Sequence, residues 1–201
     1  ETAHRPGDEE LAAVDTMALT LPKTQRHRCR KINNRTVGGA VIWAYMIRAA
    51  RATCPVKILA VVEGAWCDSR VLRDVPLLPQ GPVYLLDRGF CALELVQQWL
   101  DRKVRFILRM RQRTLFYEVL ETLSSPRWAG EVRIQLDALV RLGGPRAKAH
   151  PVARLIVAQL AGGEDLILAT DRLEWSAERV LASYRKRWHV ERFHRFLKDA
   201  L

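Results

Sequence analysis

One segment near the C-terminal end of the chain, residues 176–198, constrains its structure more than any other. It carries Tyr184, Arg187, Glu191 and Lys198, at offsets of 0, 3, 7 and 14 residues. In an α-helix these side chains fall within roughly 60° of arc, so one face holds a phenol, a carboxylate and two cations. We expect the cations to face solvent and the opposite, apolar face to dock on a core, through Ala182, Val190, Phe193, Phe196, Leu197 and Ala200. An ordinary solvated charged face is the alternative for any basic helix.

A second motif, PVYLLDRGF at residues 82–90, delivers an acid to the end of a strand. The apolar run ends at Asp87, Gly89 permits a sharp turn, and an amphipathic helix follows at about 92–103. Open α/β sheets build their sites at this edge, although an Asp that caps the next helix fits the same pattern. The run LAAVD, which ends at Asp15, repeats the arrangement. Acids on three separate elements, with Glu191 as the third, therefore predict one metal cluster.

These motifs resemble those of the DDE transposases of bacterial insertion sequences, in the subgroup with a Tyr, Arg, Glu and Lys signature on its last catalytic helix. The resemblance rests on Asp-Arg-Gly-Phe at 87–90 and on the four helix positions named above, and similarity extends from about Asp15 to Lys198. The family usually follows its first acid with Gly or Ser and a small hydroxyl residue, whereas Thr16 and Met17 follow Asp15 here.

The resemblance implies a catalytic core that cleaves DNA and transfers strands at transposon ends. Asp15, Asp87 and Glu191 would be the catalytic residues and would hold Mg²⁺, for which Mn²⁺ would substitute. Contacts with DNA are expected from Tyr184, Arg187, Lys198, Arg88, Arg195 and Trp128, the last as a platform for an unstacked base. The expected partners are double-stranded DNA, both transposon ends and target, and a second copy of the chain in a homodimer on DNA.

Charge and composition agree with a nucleic-acid partner. The formal net charge is +11, and basic residues concentrate in three clusters, at 23–35, 102–113 and 185–198. Such clusters attract a polyanion, although each alone is compatible with a solubilising surface. No apolar run approaches the roughly 20 residues of a membrane span, and the cysteines lack zinc spacing. We therefore expect no membrane partner and a cytoplasmic, nucleoid-associated protein.

The predicted order of elements matches a ribonuclease-H-like fold. Strands are expected at about 10–20, 39–48 and 56–63, then a short helix at 69–74, a strand ending at Asp87, the helix at 92–103 and a strand at 104–109. The fold class is therefore α/β, with a mixed sheet flanked by helices.

Residues 110–172 break that order and are predicted to form a β-rich insertion before the last catalytic helix. They contain β-like stretches at about 131–136, 152–160 and 165–170, and Ser176 is placed to cap the helix that follows. The expected organisation is a first part of the core at 1–109, the insertion at 110–172, and the catalytic helix that completes the core at 173–201. Asp171 and Glu164 lie outside the family motif and are not expected to be ligands.

Two other functions remain open from the sequence. The chain could be another ribonuclease-H-like nuclease, which hydrolyses DNA without strand transfer, or a DNA-binding transposase remnant without catalysis. Because the sequence begins at Glu1 and ends three residues after Lys198, we expect a fragment that lacks an N-terminal region for end recognition and a C-terminal region for dimerisation.

Overall fold

A computed structural model of the protein describes residues 9–20, 38–47, 57–63, 78, 80–112 and 115–188. In 16–20, 38–47 and 57–63 only the backbone is described. The predicted helix at 69–74 and the predicted site residues Glu191, Arg195 and Lys198 lie outside the described residues.

Strands dominate the described part of the chain. They are β1 (Leu11–Thr20), β2 (Gly38–Ile47), β3 (Lys57–Glu63), β4 (Val83–Leu86), β5 (Arg105–Arg109), β6 (Tyr117–Ser124), β7 (Arg127–Ala129), β8 (Val132–Leu142), β9 (Val152–Gln159) and β10 (Asp165–Thr170). The helices are α1 (Leu93–Asp101) and α2 (Ala177–Arg185), with a 3-10 turn at Arg88–Phe90. Each strand predicted within this part is found within a few residues of its expected bounds, and so is the helix predicted at 92–103. The last helix was predicted to continue from Ser176 to Lys198, whereas α2 ends at Arg185 and a turn follows at 186–187.

The strands form one mixed sheet in the order β3-β2-β1-β4-β5-β10-β9-β8-β6, with β7 also paired to β8. Strands β1, β2 and β3 are antiparallel neighbours, whereas β4 is parallel to both β1 and β5. A parallel pair needs a crossover, and α1 provides it between β4 and β5. The predicted ribonuclease-H-like α/β fold is therefore confirmed.

The two helices cover opposite faces of the sheet. Alternation along the strands sends Val14 and Leu86 to one face, where α1 packs through Leu95, Val96 and Trp99. It sends Ala13 and Leu85 to the other face, where α2 packs through Val180, Leu181 and Tyr184. Burial of one large apolar side chain contributes roughly 1.5–3 kcal/mol, so these contacts fix both helices on the sheet.

Residues 110–172 continue the same sheet, because β10 pairs antiparallel with β5 and is followed outward by β9 and β8. The β-rich character predicted for this segment is confirmed. Two of its strands, β6 and β7, were not predicted from the sequence, and the predicted stretch at 131–136 belongs to the longer β8. The division at residues 109 and 172 stays a prediction.

Candidate active site

The two described acids of the predicted cluster lie next to each other at one edge of the parallel strand pair. The register of β1 and β4 ends with Val14 opposite Leu86, so Asp15 and Asp87 are the next residues on neighbouring strands. Neighbouring strands lie about 4.8 Å apart. The backbone at Asp87 is still extended, with φ −84° and ψ 169°. By alternation, both acids therefore belong to the sheet face that α2 covers.

Helix α2 docks on this edge with a face that was predicted to point towards solvent. The Ser176 side chain caps the helix as predicted, accepting a hydrogen bond of 3.1 Å from the Arg179 amide. Val180 and Tyr184, one turn apart, are buried, whereas Ala182 is exposed. The predicted docking face was therefore wrong at Ala182. The physical reason is that Val180, Leu181 and the Tyr184 ring pack on the apolar face of the sheet, while Arg187 pairs with Asp15 at its edge.

Arg187 is the cation that meets this edge, and only 8% of it is exposed. Its Nη1 lies 3.9 Å from Oδ2 of Asp15, which is an ion pair longer than a hydrogen bond. The expectation that Arg187 faces solvent was therefore wrong. The opposite charge of Asp15 on β1 draws this side chain, which follows the end of α2, inward.

Tyr184 lies among charged groups from three elements. Burial raises the pKa of its hydroxyl well above the ordinary value. The positive charges of Arg187 and Arg109 oppose this shift, whereas the negative charge of Asp87 adds to it. Although Arg187 is close enough to affect the hydroxyl, no group in the described part of the chain meets strict hydrogen-bond geometry with that oxygen. The phenol is therefore neutral near pH 7 and has an unused donor.

One oxygen of Asp87 shares this property. Its Oδ1 is buried and has no hydrogen-bond partner among the described residues. Buried polar atoms are nearly always hydrogen-bonded in folded proteins, and an exception calls for a ligand or a similar cause. Two such atoms, on Asp87 and Tyr184, lie close enough to influence each other electrostatically. This edge of the sheet therefore has the character of a binding site.

Further arginines surround the two acids. Arg88 is exposed directly after Asp87, and its carbonyl accepts a hydrogen bond of 3.0 Å from Nε of Arg111. Arg109, the last residue of β5, lies near the Tyr184 hydroxyl. In the sequence, Arg109 belongs to the basic cluster at 102–113, and it was not predicted as a site residue. Arg109 ends β5, the strand parallel to β4, and this position at the same sheet edge as Asp87 could have indicated it as a site residue.

The tryptophans and the remaining acids occupy different environments. Trp128, on β7, is 69% exposed and so is accessible, while its contact with DNA stays a prediction. Trp175 is buried beneath the Arg179 guanidinium, 4.0 Å from its carbon to the ring centroid. Asp171 accepts a hydrogen bond of 2.8 Å from the Phe106 amide and pairs with Arg172, which is a structural role.

Asp15, Asp87, Tyr184 and Arg187 are thus the predicted site residues that the structure brings together. Within the described residues, no set of three or more acidic, histidine or cysteine side chains is placed to hold a metal ion. The predicted third acid, Glu191, lies outside them. The same part of the chain contains no helix long and apolar enough to cross a membrane.

Two known proteins are similar to this chain. One, named as a transposase for insertion sequence element IS5377 of Geobacillus stearothermophilus, is 26% identical over 121 residues, 59% of this chain and 31% of the relative. The other, named as transposase y4zB of Sinorhizobium fredii, is 23% identical over 200 residues, 98% of this chain and 54% of the relative. The chain therefore spans about half or less of the length of either relative.

The model of a protein family described as the transposase DDE domain matches residues 65–201. This match covers more than half of the chain and includes β4, Asp87 and the whole of α2. Asp15 lies before it, on the strand that pairs with β4. The chain belongs to the transposase DDE domain family.

Proposed function

We propose that this chain is the catalytic core of a DNA transposase, which cleaves DNA strands and transfers them at transposon ends. The observation that carries the proposal is the convergence of Asp15, Asp87, Tyr184 and Arg187 on one sheet edge. Two buried oxygen atoms there have no hydrogen-bond partner among the described residues. A site for a metal-dependent reaction on a phosphate needs both carboxylates and groups that bind phosphate.

Asp15, Asp87 and Glu191 are the residues that would hold divalent metal, Mg²⁺ or Mn²⁺ in its place. Hard cations take oxygen ligands, and the unpartnered Asp87 oxygen fits that requirement. Glu191 follows Arg187 by four residues, which in a helix is one turn along the same face. When bound, such ions would activate the attacking oxygen and stabilise charge on the leaving oxygen.

The proposed reaction is displacement at a DNA phosphorus. In cleavage, a water oxygen attacks phosphorus and loses a proton to solvent, the bond to the 3′ oxygen breaks, and that oxygen leaves with the electron pair and takes a proton from solvent. In strand transfer, the freed 3′ hydroxyl attacks a target phosphate in the same way. The Tyr184 hydroxyl, whose pKa burial raises further above its ordinary value, is protonated near neutral pH and would donate a hydrogen bond to the phosphate. Arg187 would pair with the same phosphate from its place beside Asp15.

Residues around the site would hold the rest of the substrate. Arg88, Arg195 and Lys198 would contact backbone phosphates, in keeping with the net charge of +11. Trp128 would stack on an unpaired base, which its exposure permits. We propose double-stranded DNA as the partner, with two copies of the chain acting as a homodimer on transposon ends and target in the nucleoid.

A duplex that carries the terminal inverted repeats of the element encoding this chain tests the proposal. With Mg²⁺ or Mn²⁺, a transposase would cleave at the repeat and join the freed 3′ end to a target plasmid. Cleavage without joined products would favour a nuclease that only hydrolyses. DNA binding without any metal-dependent nicking of the duplex would favour a non-catalytic remnant. Either result would contradict the proposed function.

A further inference from the structure

A buried arginine–aspartate pair lies on β8 and β9, outside the candidate active site. Asp137 is 1% exposed and Arg154 is 4% exposed. Arg154 donates from Nε to Oδ1 of Asp137 at 2.7 Å and from Nη2 to Oδ2 at 2.9 Å. A buried ion pair is seldom more stabilising than apolar side chains of similar volume. The contribution of this pair is therefore sought in how it positions the segments that it contacts.

The third nitrogen of the same guanidinium reaches the chain segment that leads from β10 into α2. Nη1 of Arg154 donates to the carbonyl oxygens of Arg172 at 3.0 Å and Leu173 at 3.4 Å, and also to that of Trp175. Trp175 immediately precedes Ser176, the N-cap of α2. One planar group, with its orientation set by Asp137, thus holds the start of the helix against β8 and β9.

A second arginine reaches the first turn of the same helix. Arg127, on β7, donates from Nε to Oε1 of Glu178 at 3.0 Å. It also donates to Oγ of Ser124, which in turn donates to Oδ2 of Asp137 at 2.9 Å. Asp137 thus accepts hydrogen bonds from both Arg154, which holds the segment before α2, and Ser124, which Arg127 contacts beside the first turn of α2. Every residue that makes these contacts from the strand side lies within 110–172.

We infer that Arg154, oriented by Asp137, is a positioning residue for α2 and through it for Tyr184 and Arg187. Nine residues separate Trp175 from Tyr184, which corresponds to about 14 Å of helix. A displacement at the helix start is carried along the helix to the two carboxylates at the sheet edge. The catalytic meaning of this positioning depends on the proposed function, whereas the positioning itself does not.

NMR of the whole chain labelled with ¹³C at the tyrosine Cζ carbons tests the inference without reference to activity. The chain has four tyrosines, and Tyr184→Phe identifies the signal of Tyr184. The test variant combines Arg154→Met with Asp137→Leu, which replaces the buried pair by apolar side chains. We expect the Tyr184 signal to move or broaden while that of Tyr84, buried in β4, stays in place.

The matched control is the exposed pair Arg141 and Glu118 on β8 and β6, joined at 2.6 Å. Arg141→Met with Glu118→Leu removes an ion pair from the same sheet without touching α2. It should leave the Tyr184 signal unchanged. A purely stabilising role for Arg154 would lower the melting temperature of the test variant and leave the signal of the folded protein where it was.

Two milder variants cover the case in which the test variant does not fold. Arg154→Lys keeps the charge beside Asp137 but cannot serve all three carbonyls. Arg127→Gln removes the contacts of Arg127 with Glu178 and Ser124 and leaves the Arg154–Asp137 pair in place. A Tyr184 signal unchanged in every folded variant would overturn the inference. If the wild-type chain cleaves DNA, we expect kcat to fall at least about tenfold with little change in DNA affinity. If the wild-type chain does not cleave, the proposed function fails while the Tyr184 signal still decides the positioning.

Discussion

Asp137 and Asp87 are both carboxylates near arginines on one sheet, but their oxygens have different partners. Asp137 accepts hydrogen bonds on both oxygens, at 2.7 and 2.9 Å from Arg154. Asp87 has a buried oxygen without a partner among the described residues, and its neighbour Asp15 has its ion pair with Arg187 at 3.9 Å. We call Asp137 with Arg154 the inner cluster, and Asp15, Asp87, Tyr184 and Arg187 the edge cluster. The fold itself supplies the hydrogen bonds of Asp137 in the inner cluster, whereas Asp87 in the edge cluster keeps an oxygen that a ligand can bind.

The largest expected effect is the loss of cleavage when the carboxylate charge of Asp87 is removed. Asp87→Asn should lower metal-dependent cleavage at least about 1000-fold, because metal ligation contributes several kcal/mol to transition-state stabilisation. Its melting temperature should not fall, since the lost oxygen has no hydrogen bond among the described residues. Cleavage rates and thermal melts check both statements, with Asp101→Asn, at an exposed position at the end of α1, as the control.

Removing the carboxylate charge of Asp137, in the inner cluster, should mainly lower stability. Asp137→Ala leaves Arg154 buried without its carboxylate, and breaking such a pair costs roughly 3–5 kcal/mol of unfolding free energy. Urea denaturation measures this loss. A change within about 0.5 kcal/mol, the range of ordinary surface substitutions, would remove the distinction between the two clusters.

The Tyr184 hydroxyl gives a smaller test of the same distinction. Tyr184→Phe removes a buried hydroxyl that has no partner among the described residues, so unfolding free energy should stay unchanged or rise by about 1 kcal/mol. Cleavage should fall roughly 10- to 100-fold through loss of one hydrogen bond to a charged phosphate. A clear loss of stability in urea denaturation would mean that the hydroxyl serves the fold.

The smallest expected effect is the pH dependence of the helix contact. The hydrogen bond from Arg127 holds the pKa of Glu178 below its ordinary value. Its stabilisation is therefore present above the pKa of the unfolded chain and lost as pH falls through the lower pKa of the folded state. The effect is small because the Glu178 side chain is 43% exposed. Denaturation curves from about pH 6 to pH 3 should show a weaker pH dependence for Arg127→Gln than for the wild-type chain.

Much of the core could be predicted because its signals are local. Apolar runs ending in an acid place β1 and β4, and their parallel pairing brings Asp15 beside Asp87. Strand β6 escaped prediction because its residues are exposed on both faces and its pairing with β8 shifts register twice. Alternating burial, the usual sign of a strand, is absent there.

The docked face of α2 could not be predicted for a different reason. A stripe with Tyr184 and Arg187 is typical of a solvated face, and its burial depends on the apolar sheet face against Tyr184 and on Asp15 beside Arg187. The burial of Arg154 could not be predicted either, because its partners come from β8 and from the turn before α2. Contacts between distant segments decide these positions, and single-sequence periodicity carries no information about them.

Binding of Mn²⁺ to the edge cluster tests the central claim most directly. Paramagnetic Mn²⁺, added to the chain labelled with ¹³C at tyrosine Cζ, should broaden the signal of Tyr184 and spare that of Tyr117 on β6. The broadening should disappear in Asp87→Asn and be reversed by excess Mg²⁺. Equal broadening of both signals, or broadening that persists in Asp87→Asn, would contradict a metal site formed by Asp15 and Asp87.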